Sequence, residues 1–264
     1  MDLQLTGKTA IVTGGSKGIG RAVAHSLAAE GVRILICARD PEMLARTALE
    51  IRRDTDHAVL TCAVDLSELE GVKRAVAEAI STLGRVDILV NNAGAVKGGD
   101  FLTLPDDEWI RGWNLKLLGY IRMAREVLPH MQQQRSGRII NIAGVAARNP
   151  ATTFMAGGAA NAALINFTKS LADLAAKSNV LVNAVSPGLV RTERFESLLK
   201  QRATAEGKDF ETLVKEQTAE YPLGRIATPE EIANLVTFLA SERASFMAGV
   251  TITVDGGVSR GVYM

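Results

Sequence analysis

The sequence predicts an α/β fold built on a doubly wound parallel sheet of seven strands, in three αβα layers. Three observations predict it. Short runs rich in apolar and β-branched residues alternate with longer segments of helical period along the whole chain. These runs are apolar nearly throughout, as strands covered on both faces must be. A glycine-rich turn joins the first run directly to the first helical segment, the arrangement that opens a βα unit.

The elements follow in order. Strands are expected over Thr9–Thr13, Arg33–Cys37, Ala58–Ala63, Val86–Val90, Arg138–Ile142, Val180–Val185 and Val250–Val254. Helices are expected over Ile19–Glu30, Glu42–Arg53, Leu69–Leu83, Asp107–Gln132, Thr152–Lys177 and Pro229–Ala240. Strict alternation implies right-handed crossovers between parallel strands. Asp40-Pro41 sets a capping carboxylate before a first-turn proline, and Thr228-Pro229-Glu230-Glu231 adds early acids suited to the helix dipole. The polar stretch 191–221 reads as an excursion of one or two small helices, either a substrate lid or a solvated insert. No linker, repeat or low-complexity tract interrupts the pattern, so a single domain over residues 1–264 is expected.

Composition excludes several function classes. Thirty Lys plus Arg against 29 Asp plus Glu give a net charge of +1, with 47% hydrophobic residues, which opposes disorder and a basic nucleic-acid surface. Aromatics at 5% leave little for base stacking. The uncharged run from Asn149 to Thr168 has the length of a membrane span, but Pro150, Gly157, Gly158, Asn161 and Asn166 oppose a lipid-facing helix. His25, His57 and His130 lie far apart in sequence, so no local metal cluster is visible, and no metal is expected. Tyr120, Tyr221 and Tyr263 are equally scattered. Cys37 and Cys62 sit in or beside apolar runs and read as buried thiols rather than a disulfide. The N-terminal MDLQLTGKTAIVTGG shows no basic region followed by a long apolar one, which makes a cytoplasmic location the expectation.

Thr13-Gly14-Gly15-Ser16-Lys17-Gly18-Ile19-Gly20-Arg21 follows the first strand and runs into a helix. Glycines here permit a sharp turn and close approach of the backbone to a pyrophosphate, while the helix N-terminus supplies free N–H groups and a favourable dipole. Gly14, Ser16, Lys17, Gly18, Ile19 and Gly20 are the candidate phosphate-cradling residues. Their spacing is TGxxxGxG rather than GxGxxG.

Further motifs stand in order behind this turn. They are Asp65 after the third strand, Asn91-Asn92-Ala93-Gly94 after the fourth, Asn114 in the next helix, Ser186-Pro187-Gly188 after the sixth, and Val254-Asp255-Gly256-Gly257 at the end. With them the chain resembles the classical short-chain dehydrogenase/reductase family over nearly its whole length. The resemblance implies a Rossmann-like, nucleotide-binding oxidoreductase. In it Asp65 and Leu66 would bind adenine, Asn91, Ala93 and Gly94 would support the adenosine side, and Pro187, Gly188, Val190 and Thr192 would receive the nicotinamide. It also implies a homotetramer, pairing the helices at 107–132 and 152–177, with a second interface around 229–240 and the last strand.

Charge points to the cofactor. An acid at the end of the second strand would bind the ribose diol of NAD, but this strand ends Ile36-Cys37-Ala38-Arg39. Arg39, with Lys17 from the glycine turn, suits a phosphate, so NADP is expected over NAD; the alternative is that both are solvated surface cations.

The family places a Ser after the fifth strand and a Tyr and a Lys four residues apart on the next helix, where Tyr is the acid–base group. Here those positions fall on Gly144, Gly157 and Asn161. The motif continues without a gap through Ala162-Ala163-Leu164, and no Tyr lies between Tyr120 and Tyr221, so a shifted register does not restore it. Asn114 keeps its family match as a catalytic candidate. Asn114, Thr152 and Thr153 are possible hydrogen-bond donors, Arg148 or Lys97 could stabilise an oxyanion, and Asn161 could still reach a ribose hydroxyl. Each of these also has a plain structural reading. The glycines at 144, 157 and 158 read as room beside the nicotinamide or as tight helix packing, and Trp109 and Trp113 as core or interface anchors.

The function expected is NADP-dependent hydride transfer to or from a small carbonyl, alcohol or activated unsaturated substrate, with a non-standard acid–base site. Losing a positioned general acid costs about 10² to 10⁴ in rate, which leaves room for such an enzyme. Two alternatives stand beside it: a catalytically inactive NADP-binding pseudoenzyme serving as sensor or partner subunit, and a non-redox lyase or isomerase in a reshaped pocket.

Overall fold

A computed structural model describes residues 1–260; Tyr263 lies outside them. The strands are β1 Thr9–Thr13, β2 Arg33–Ala38, β3 Val59–Ala63, β4 Ile88–Asn91, β5 Gly137–Ile142, β6 Val180–Pro187 and β7 Thr251–Val254. They form one sheet in the order β3-β2-β1-β4-β5-β6-β7. Every pairing is parallel. The chain winds outward twice from the centre, so the order reverses between β1 and β4.

Helices cover both faces. They are α1 Gly18–Ala29, α2 Pro41–Thr55, α3 Leu69–Leu83, α4 Asp106–Trp113, α5 Gly119–Gln134, α6 Met155–Ala175, α7 Glu193–Glu206, α8 Phe210–Thr218 and α9 Pro229–Ala240. Successive strand residues serve opposite cores: Ala10 and Val12 pack with Val23, Leu27 and Val236 of α1 and α9, while Ile11 packs with Val72, Val76, Met123 and Val127 of α3 and α5. This two-sided demand is why the strands read as continuous apolar runs. Cys37 and Cys62 are buried free thiols, in register across β2 and β3.

Local departures from the expected boundaries have physical causes. The strand expected at Val86 begins at Ile88, because buried Asp87 is taken up by the Thr9 backbone N–H at 2.9 Å and the Thr9 hydroxyl at 3.0 Å. The single helix expected over Asp107–Gln132 contains a π-helical segment, Asn114–Leu118, between α4 and α5. Gly119 lies hard against the Leu66 carbonyl there: a Cβ on it would come within 2.9 Å of that oxygen. The helix expected from Thr152 starts at Met155, since the Thr153 carbonyl instead accepts the Gly99 N–H at 2.9 Å. The excursion at 191–221 holds α7 and α8, capped by Thr192 and Asp209. At α9 Thr228 and Glu231 form a reciprocal capping box. Trp109 and Trp113 meet edge to face, and Trp113 Nε1 donates to the Ala156 carbonyl at 2.9 Å, tying α4 to the start of α6. Among the described residues no helix is long and apolar enough to cross a membrane.

Candidate active site

At the C-terminal ends of the strands, where their order reverses, lies a cleft of about 730 Å³. Open α/β sheets place ligands at this switch point. Its floor is the glycine turn. Gly14 (φ +65°) donates its N–H to the Cys37 carbonyl at 2.7 Å, and a Cβ on Gly20 would lie 2.2 Å from the Gly14 carbonyl oxygen. The turn therefore closes only with glycine at 20. Ser16 is held from below by the Thr47 hydroxyl, which donates to its carbonyl at 2.9 Å.

The turn after β4 is stitched to this floor. Thr13 Oγ1 accepts the N–H groups of Asn92 and Ala93 at 2.8 and 3.1 Å, and the Asn92 amide donates to the carbonyls of Thr13 and Gly14. Asn91 is buried one residue earlier, donating to Asn141 Oδ1 at 3.0 Å; Asn141 in turn donates to Thr168 of α6 at 2.9 Å.

The N-terminus of α1 has no side-chain cap of its own and no acid in its first turn. Its Gly18 N–H donates to Glu193 Oε2 at 3.0 Å, and Arg21 pairs with the same carboxylate at 2.9 Å. The site thus takes an anion, and Glu193 stands in for one. On one side of it Lys17 and Arg39 line the cleft with Leu66. Asp65 turns its carboxylate away, to the Ser67 N–H and hydroxyl; these bonds, against burial that raises it, hold the group below its usual range.

On the other side the cleft is lined by Ala93, Gly94, Gly144, Asn161, Pro187, Gly188, Val190 and Thr192. Gly188 is fixed by its N–H to the Val254 carbonyl, and Leu189 by its N–H to the Tyr221 hydroxyl at 3.1 Å. Asn161 is 2% exposed, and its Oδ1 is buried without a hydrogen-bond partner. A Cβ on Gly144 would come within 2.8 Å of Asn161 Nδ2. A Cβ on Gly157 would lie 2.0 Å from the Phe154 ring. Phe154 therefore fills the space through which a side chain at 157 would leave α6.

Geometry gathers some sequence candidates and not others. Gly14, Ser16, Lys17, Gly18, Ile19, Arg39 and Leu66 border the cleft, together with Ala93, Gly94, Gly144, Asn161, Pro187, Gly188, Val190 and Thr192; Gly20 and Asn91 lie behind it as supports, and Asp65, Asn114, Arg148 and Gly157 are not among its lining. Nor are Thr152, Thr153 and Lys97, the last of which pairs with Glu108 at 3.6 Å. Among the lining residues that escaped the sequence reading are the polar and aromatic side chains of Lys116, Phe154, Glu193, Arg194 and Tyr221. Phe154, three residues before Gly157, and Glu193-Arg194, directly after Thr192, were within reach of spacing arguments. Tyr221 carried no signal.

Three of these have displaced protonation, and burial lowers the Arg194 guanidinium. Burial, with Arg194 nearby, lowers the Lys116 ammonium to about 8. Burial also raises the Tyr221 phenol, opposed by the Leu189 N–H and aided by Asp255. The cleft combines cations, an anion-accepting helix terminus, an ammonium and an unpartnered carbonyl oxygen. That donor set fits an extended, phosphate-bearing dinucleotide.

Comparison with known proteins agrees. A family model described as enoyl-(acyl carrier protein) reductase matches residues 14–259. The uncharacterized oxidoreductase YvaG of Bacillus subtilis is 37% identical over 268 aligned residues, covering 100% of both chains. The 3-oxoacyl-[acyl-carrier-protein] reductase FabG of Aquifex aeolicus is 36% identical, over 98% of this chain and 100% of its own. A crystal structure of L-sorbose reductase from Gluconobacter frateurii, complexed with NADPH and L-sorbose, superposes with a TM-score of 0.96 at 35% identity, covering 99% of this chain and 100% of that one.

Proposed function

The chain belongs to the short-chain dehydrogenase/reductase family, and from that premise we propose that it is an NADP-dependent oxidoreductase acting on a small carbonyl or alcohol with a non-standard acid–base site. One observation carries the reading: a single cleft joins Arg39 and Lys17 to the α1 N-terminus and on to the buried, unpartnered oxygen of Asn161. The NADPH bound by the L-sorbose reductase supports the choice of cofactor.

In this reading Arg39 and Lys17 hold the ribose 2′-phosphate, and Gly14, Ser16, Gly18, Ile19 and Gly20 cradle the pyrophosphate. Asp65 and Leu66 flank the adenine, with Asn91, Ala93 and Gly94 supporting the adenosine side. Pro187, Gly188, Val190 and Thr192 receive the nicotinamide, and Asn161 Oδ1 accepts from a ribose hydroxyl, which ends its lack of a partner. The bound cofactor supplies or accepts hydride. Glu193 has to leave Gly18 when the pyrophosphate arrives, so cofactor entry and the position of α7 are linked through one carboxylate. Gly144, Gly157 and Asn161 leave α6 and the end of β5 without the family's Ser, Tyr and Lys. Asn114 then acts through the backbone of the π segment, its carbonyl accepting the Gly119 N–H, as a positioning residue rather than a donor to substrate.

The exposed Ile110, Leu118, Leu174 and Phe246 lie on or beside the faces that the resemblance assigns to a homotetramer, and light scattering of the purified protein tests that assembly. A second functional reading, an NADP-binding protein without turnover, is favoured by Phe154 standing in the space of a side chain at 157. Titrating the protein with NADPH and NADH, then following NADPH consumption with ketoses, ketones, quinones and enones, separates the two. Tight NADPH binding with consumption supports the reductase; tight binding with none supports the second reading; preference for NADH overturns the NADP assignment.

A further inference from the structure

Lys116 lines the cleft, and the reading above has no use for it. It stands within the π segment, and such segments are frequent at functional sites. Its side chain runs along Gly94, where a Cβ would come within 3.2 Å of Lys116 Cδ. Its Nζ donates to the Ala143 carbonyl at 2.9 Å, one residue before Gly144. An ammonium from the α4–α5 side thus reaches the end of β5, beside the position at which the resemblance expects a Ser.

Its surroundings leave it available. The Ala143 carbonyl takes one of three N–H groups, and no carboxylate among the described residues pairs with it. Arg194, whose guanidinium donates to the carbonyls of Gly94 and Val96 at 3.3 and 2.9 Å, is the charged group that acts on it. No other charged group on the elements packed against the π segment shifts it: α6 has no charged residue from Met155 to Thr168, Glu108 of α4 is engaged by Lys97 and Arg111, Arg122 of α5 donates to the Ser67 carbonyl, and Asp106 and Asp107 of α4 and Arg125 and Glu126 of α5 do not act on the ammonium.

We propose that Lys116 is the catalytic acid, its Nζ delivering to the substrate oxygen the proton that α6 does not provide. The proposal rests on the reductase reading. In the reducing direction the reduced nicotinamide dinucleotide provides hydride for the new C–H bond, and the C=O π pair moves to oxygen. An N–H bond of Lys116 then breaks as the O–H bond forms. The carbonyl is reduced, the dinucleotide is oxidised, and the neutral amine regains its proton from water. With the ammonium at about 8, the protonated form prevails at neutral pH yet gives up its proton more readily than an ordinary lysine.

The test uses wild-type protein, Lys116→Arg and Lys116→Ala. Arginine keeps the charge but has no proton to give near neutral pH. The proposal expects both variants to bind NADPH as wild type does, and both to lose about 100-fold or more in reduction rate. It expects methylammonium to restore part of the rate of Lys116→Ala. It also expects NMR of isotopically labelled lysine to show in wild type one Nζ titrating near 8, absent from both variants. Wild-type reduction should fall as pH rises through that value. Lys116→Arg at the wild-type rate, or Lys116 titrating at the ordinary 10.5, overturns the inference while leaving the reductase reading standing. No NADPH consumption by wild type with any carbonyl overturns both.

Discussion

Phe154 and Asn161 occupy, with a hydrocarbon ring and a neutral amide, the space beside the cleft from which Gly157 and Gly144 withhold side chains. These four positions are mutually adjusted, so restoring one of them alone should fail. We expect Gly157→Tyr to destabilise the protein by about 1–3 kcal/mol, the ordinary cost of overpacking, seen as a lowered Tm, and to leave the reduction rate no higher than before. Paired with Phe154→Ala it should recover the Tm. At the other end of the cleft, Arg39→Ala should weaken NADPH binding by about tenfold or more, the loss of one charge-assisted phosphate contact, while barely changing NADH. An equal effect on both cofactors, read as two dissociation constants, would contradict the role of Arg39. Lys116 also has a signature in stability. Its folded-state value of about 8 lies below the ordinary 10.5, so between these values the unfolded chain binds more protons, and this group makes stability rise with pH across that window. Lys116→Met should flatten that rise in denaturant titrations.

At the scale of elements, the α1 N-terminus is the part of the site most legible in sequence. A glycine-rich turn between an apolar run and a helical period has one structural meaning, and Gly14, Gly18 and Gly20 stand where their spacing puts them. Gly20→Ala should abolish cofactor binding, because its Cβ would fall 2.2 Å from a backbone oxygen that no rotamer can move. Glu193 was not legible as a partner of that terminus, since 175 residues separate it from Gly18 and only the fold brings α7 over α1. As it competes with the pyrophosphate for Gly18 and Arg21, Glu193→Gln should bind NADPH more tightly than wild type in isothermal titration; weaker binding would show that the carboxylate supports the site instead. The π segment escaped sequence reading for a different reason. Asn114-Leu115-Lys116-Leu117-Leu118 keeps ordinary helical composition, and the wider turn arises where Gly119 meets the Leu66 carbonyl. Lys116 of that segment lines the cleft, and no periodicity argument registers it.

For the molecule as a whole, the seven-stranded parallel sheet and its two faces could be read from the alternation of apolar runs and helical segments, because each strand feeds two cores. Strand order and the switch point between β1 and β4 were not legible, because right-handed crossovers limit the possible orders without choosing one. The uncharged stretch from Asn149 to Thr168 was legible as an anomaly; its cause is a helix that lies against the sheet and the cleft with Asn161 where a charge would be expected. Central to the proposed function is hydride transfer between a nicotinamide and a substrate, with the acid outside α6. The most direct test is a turnover with NADPH carrying deuterium at both C4 positions of the nicotinamide and a ketose or ketone substrate, followed by mass spectrometry of the product. The account predicts one deuterium on the product carbinol carbon for each NADPH oxidised. Tight NADPH binding with no deuterium transferred to any product would contradict it.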